Sequence, residues 1–125
     1  MILDAAQTAG KIRIDLAESG VDILAVPGHK GLFGPMGTGV LIVAGDLGIE
    51  PFRVGGSGFR SDEDLQPVDL PWRLEAGTPN PPGIAGLLAG VRFVQDRGVD
   101  NIAAAEARLV SGFAMGLAGG AVGLV

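Results

Sequence analysis

The chain has no cysteine, which rules out a disulfide framework and a thiolate zinc centre. It has one histidine, His29, so an imidazole metal cluster is excluded as well. Basic charge is scarce: nine Lys and Arg stand against fourteen Asp and Glu, for a net charge of −5 and a pI near 4.6. That balance is the reverse of a nucleic-acid-binding surface. Aromatic residues make up only 5%, and Trp72 and Phe93, each isolated, read as core or interface residues rather than a stacking platform. A phosphate-binding P-loop needs a hydroxyl residue after its lysine, whereas Ile12 follows Gly10-Lys11 and Gly31 follows Lys30. G-x-G-x-x-G after a strand is also missing, which removes support for dinucleotide binding. Met1 leads straight into an apolar run without a basic segment, so no signal peptide is expected.

What remains is a globular composition, 47% hydrophobic with 18% charged residues over 125 positions, enough for one domain. Glycine is abundant, 22 residues, more than twice the usual share of about 7%, and no tripeptide period explains it. The run from Leu109 to Val125 carries no charge. Its length sits at the lower edge for a membrane span, and Gly112, Gly116 and Gly120 suit close helix packing in lipid. The simpler reading, which we adopt, is a last amphipathic helix running into a strand, with no membrane partner.

Strand-like stretches are ILDAA (Ile2–Ala6), VDILAV (Val21–Val26) and GVLIV (Gly39–Val43). Lys11–Gly20 reads as an extended step and a short helix that Gly20 terminates. From Glu50 to Pro82 the prolines and glycines predict loop, with Asp62, Glu63 and Asp64 as a solvated charge run. Helical spacing returns over Ile84–Val94 and Asn101–Ala118. No repeat or linker divides the chain. Continuous apolar strands separated by a helix imply an α/β sheet covered on both faces. Three short strands fall below the usual five or six, as expected of the middle of a larger domain.

In such sheets ligands bind beyond the carboxyl ends of the strands. Asp4 ends the first strand, and His29-Lys30 follow the second. A partly buried ion pair would explain the acid and the lysine. The surroundings say more. Gln7 lies three positions after Asp4 in DAAQTAG, Gly31, Gly34-Pro35, Gly37 and Gly39 follow Lys30, and EAGTPN precedes a helix. These three motifs, in this order and spacing, resemble the class V aminotransferase group of fold-type I pyridoxal-phosphate enzymes, which includes the cysteine desulfurases. The resemblance runs from Met1 to about Leu109.

It implies a mixed, mostly parallel α/β sheet with flanking helices, part of a PLP-transferase large domain. Residues 1–125 would be its central part, with an upstream cofactor loop and a downstream small domain lying outside the chain. Lys30 resembles the lysine that condenses with the aldehyde of pyridoxal 5'-phosphate, a step that needs a neutral amine. Asp4 resembles the carboxylate that pairs with the pyridine nitrogen, and Gln7 the donor to the phenolic oxygen. His29 would reach the phosphate, helped by backbone N–H groups. Thr78 in GTPN resembles a contact to the phosphate of the partner subunit's cofactor, which implies a homodimer. Ser57 in GGSG sits where some relatives place a hydroxyl. The family's hydroxyl residue three positions before the lysine is here Pro27, with neither hydroxyl nor N–H.

The implied activity is that of a cytoplasmic enzyme acting on an amino acid, with cysteine desulfuration favoured. A class V aminotransferase, a lyase or a catalytically inert interaction domain are the alternatives.

Overall fold

The computed structural model describes residues 1–56, 58 and 64–120. Ser57, Asp62, Glu63 and the last five positions of the apolar run lie outside the described residues. In chain order the elements are β1 (Ile2–Asp4), α1 (Leu16–Ser19), β2 (Ile23–Pro27), β3 (Gly39–Val43), a 3-10 turn (Trp72–Leu74), α2 (Pro81–Arg97) and α3 (Val99–Ala118).

The sheet order is β1-β2-β3. β1 runs parallel to β2, with Asp4 opposite Ala25, and β3 returns antiparallel, with Gly39 opposite Pro27. The expected mixed sheet is therefore present, with one parallel and one antiparallel pairing. The crossover between β1 and β2 contains α1, whose start is capped by Asp15. That carboxylate accepts hydrogen bonds from the N–H groups of Ala17 and Glu18, as orphan donors in a first turn require. Gly20 ends the helix at φ +64°, a left-handed position that glycine adopts without a Cβ penalty.

Leu24 and Val26 alternate into the buried face of β2 and form a small core with Ala5 and Val21. Leu3, Ala9, Ile14, Leu16 and Leu32 pack around it. Cover on both faces does not extend to β3. Val40, Leu41 and Ile42 are all exposed, so no described residues bury this edge strand.

α2 begins at Pro81, a turn earlier than the apolar spacing predicts, because Asn80 caps it. The Asn80 side chain accepts from the Gly83 N–H at 3.1 Å, and prolines occupy the first two helical positions, where a missing N–H costs nothing. Its buried stripe, Gly83, Leu87, Gly90 and Val94, has the i, i+4, i+7 rhythm of an amphipathic helix. Gly98 separates α2 from α3, which buries only Ile102. Leu109, Val110, Phe113 and Met115 on α3 are exposed. Among the described residues, no helix is long and apolar enough to cross a membrane.

Candidate active site

β1 stops at Asp4 because the chain turns immediately. Thr8 and Ala9 donate to the Ala5 carbonyl at 3.2 and 3.0 Å, and Lys11 and Ile12 donate to Thr8 at 3.0 and 2.8 Å. β1 therefore ends two residues before the Ala6 limit that the apolar run predicts. Asp4 takes part in the turn: its Oδ1 accepts the Ala6 N–H at 2.9 Å. Among the described residues its second oxygen has no hydrogen-bond partner.

The loop from Gly28 to Thr38 is likewise held by its own backbone. Gly28 donates to Thr38 at 2.8 Å, Gly34 to Gly28 at 2.7 Å and Phe33 to Lys30 at 2.9 Å. Phe33 has φ +55°, an unusual conformation for a bulky residue. Its ring sits edge-on to Phe93 of α2, with centroids 5.2 Å apart and planes at 74°. Such a contact adds roughly 0.5–1.5 kcal/mol beyond burial, of the size needed to offset the strained backbone. Phe93 therefore packs on the Lys30 loop while staying half-exposed.

Among the described residues, the candidate side chains at this end of the sheet line separate clefts. Asp4 lines one of about 470 Å³, with Ala25, Pro27, Gly39 and Glu75. Gln7 and Lys30 line the other, of about 320 Å³, with Lys11, Phe33 and Glu106. Both fall within or near the span of small-ligand pockets. Gln7 and Lys30 are therefore brought together, whereas Asp4 lies on the other cleft, with Ala6 two residues on already lining the second. His29 and Lys30 are exposed, and among the described residues the Lys30 amine has no ion-pair partner. The partly buried ion pair with Asp4 is therefore not formed among the described residues. Thr78 is exposed on the loop before α2 and lines neither cleft.

Three side chains near the clefts were not singled out by motif. Glu75 faces the Asp4 cleft from within EAGTPN. Lys11, directly after DAAQTAG, pairs with Glu106 of α3 at 2.9 Å. Behind Glu75, Arg73 grips Asp46, with Nη2 2.5 Å and Nη1 3.4 Å from its two carboxylate oxygens. The hydrogen bond from Arg73, and then the one from the Gly48 N–H, hold the Asp46 carboxyl below the usual carboxylate range. Asp46 in turn raises the Arg73 guanidinium above its ordinary value. Gln66 completes the brace. Its Nε2 donates to the carbonyls of Trp72, Arg73 and Glu75 at 3.0, 3.3 and 2.9 Å, and its Oε1 accepts from Gly55 at 3.2 Å.

The amine and the amide share one cleft and the half-engaged carboxylate lines the other; by chemistry alone, an amine, an amide and a carboxylate are the groups that pyridoxal 5'-phosphate would need.

The fold is thus a mixed sheet with a lysine-bearing loop past its second strand. The family model for aminotransferase class-V matches residues 1–119, and the chain belongs to that family. A probable cysteine desulfurase of Pyrococcus abyssi (strain GE5 / Orsay) is 39% identical over 121 residues, which cover 93% of this chain and 30% of that protein. A cysteine desulfurase of Enterobacter sp. (strain 638) is 39% identical over 115 residues, 88% of this chain and 28% of that one. The apo structure of the cysteine desulfurase from Thermococcus onnurineus NA1 superposes with a TM-score of 0.76 at 36% identity, covering 93% of this chain and 30% of the other. The chain thus spans less than a third of the length of these relatives.

Proposed function

We propose that this chain is the lysine-bearing central part of the large domain of a pyridoxal-phosphate-dependent enzyme that removes sulfur from cysteine. The observation that carries the reading is the shared cleft of Lys30 and Gln7, at the strand ends where Asp4 also stands, in a chain whose relatives are named cysteine desulfurases. When bound, pyridoxal 5'-phosphate supplies an aldehyde and an electron-accepting ring. Lys30 holds it and afterwards moves a proton at the substrate's α-carbon. Asp4 keeps a proton on the ring nitrogen through its free oxygen. Gln7 orients the ring through the phenolic oxygen, and His29 with neighbouring N–H groups binds the phosphate. Thr78 serves the phosphate of a second subunit, so the working form is a cytoplasmic homodimer. Thr78 lining neither cleft of its own chain is compatible with that role.

Adding pyridoxal 5'-phosphate to the chain should produce an absorbance band that borohydride reduction makes permanent, and Lys30→Ala should abolish it. A folded chain with a flat spectrum would remove the catalytic reading. One finding favours a second reading, an inert scaffold: Asp4 and Lys30 line different clefts. That reading predicts the flat spectrum.

A further inference from the structure

We propose that Gly10 and Gly31 are positioning residues that set the separation between the Lys30 amine and the Gln7 amide in their shared cleft. The inference rests on the function proposed above for those two side chains. Gln7 rides on the turn from Ala5 to Ile12 and Lys30 on the loop that starts at Gly28, and each is closed by its own backbone hydrogen bonds. Among the described residues no backbone hydrogen bond joins the two turns. They meet through bare glycine backbone.

A Cβ on Gly10 would lie 2.0 Å from the Gly31 carbonyl oxygen and 2.6 Å from its carbon. One on Gly31 would lie 2.1 Å from the Ala9 carbonyl oxygen. Real Cβ contacts essentially never fall under 3.0 Å, and the obstruction in both cases is backbone, which cannot swing aside like a side chain. Either substitution must therefore push the turns apart. The Lys30 loop has little room to retreat. On the other side it packs against α2, where a Cβ on Gly90 would sit 2.2 Å from the Leu32 carbonyl oxygen. Gly10 also requires its left-handed φ of +80°, whereas Gly31 has no such requirement. Gly31→Ala thus changes the gap alone.

Misplacement of a reacting group by about 1 Å costs on the order of 10²-fold in rate. The chain contains two lysines, Lys11 and Lys30, and both line this cleft, so Lys11 is an internal standard. The test treats the full chain with pyridoxal 5'-phosphate and borohydride and reads the Lys30 to Lys11 modification ratio by peptide mapping. Gly31→Ala, with circular dichroism like wild type, should lower that ratio by up to the order of 10²-fold. Gly37→Ala is the control. It has φ +76° with nothing within 4 Å, so it strains the same loop without touching the gap, and should keep the ratio. Gln7→Asn draws the amide back by one methylene at an exposed position and should reproduce the loss even if Gly31→Ala fails to fold.

A folded Gly31→Ala or Gln7→Asn with the wild-type ratio overturns the proposal, as does an equal loss in Gly37→Ala. Absence of any preference for Lys30 in the wild-type chain overturns the function beneath it instead.

Discussion

Lys11, in the turn from Ala5 to Ile12, reaches Glu106 of α3, its Nζ 2.9 Å from the carboxylate. The pair ties the Gln7-bearing turn to a helix that otherwise buries only Ile102. Both side chains are about two-fifths exposed, 38% and 42%. An ion pair in that setting contributes at most about 1 kcal/mol and weakens with salt. Glu106→Gln should lower stability within that limit in urea unfolding at low ionic strength. The difference from wild type should shrink in molar salt.

Glycine substitutions in the two long helices should differ in sign. Gly112 in α3 has open space around it, so Gly112→Ala should stabilise by about 0.5–1 kcal/mol through helix propensity. Gly90 in α2 faces the Leu32 and Phe33 carbonyls, and there overpacking of roughly 1–3 kcal/mol should outweigh the same propensity gain. Melting temperatures of the two variants check this: one rises and the other falls.

Acid should loosen the brace behind Glu75. The Asp46 carboxyl is held below its ordinary range by Arg73 and the Gly48 N–H. A depressed carboxyl contributes stability that is fully present above the unfolded value, near pH 4, and is lost as pH falls through the lower folded value. Arg73 stays charged throughout this window. The stability difference between wild type and Asp46→Asn should therefore be flat above about pH 5 and shrink below about pH 4. A difference independent of pH down to acid unfolding would contradict it.

The exposed edge of β3, with Val40, Leu41 and Ile42, and the apolar face of α3 near Phe113 and Met115 should drive association. Unpaired strand edges and broad apolar patches favour it. Light scattering should show mass rising with protein concentration. A sharp, cooperative melt of a concentration-independent monomer would exclude this.

Much of the fold is legible where the deciding physics is local. Gly39–Val43 is bounded by glycine and is continuously apolar, and it forms β3 at those limits. Gly20 closes α1 as expected. Where a cap or a turn overrides periodicity the boundaries move: Asn80 starts α2 early, and the Ala5 turn cuts β1 short. The motifs around Asp4, Gln7 and Lys30 are visible because each is contiguous. Arg73 with Asp46, Lys11 with Glu106 and Gln66 with the 3-10 turn are not, since the partners are far apart in sequence and leave no spacing signal. Much of the glycine excess also has a three-dimensional cause. Gly10, Gly31, Gly34 and Gly90 stand where one backbone touches another or a neighbouring side chain.

The most direct measurement is a crystal structure of the chain after reduction with bound pyridoxal 5'-phosphate. The expected result is a ring joined to Lys30, its nitrogen within hydrogen-bonding reach of the Asp4 carboxylate and its phenolic oxygen at Gln7. A ring attached to Lys11, or one on Lys30 that turns away from Asp4 and Gln7, would contradict the proposed chemistry.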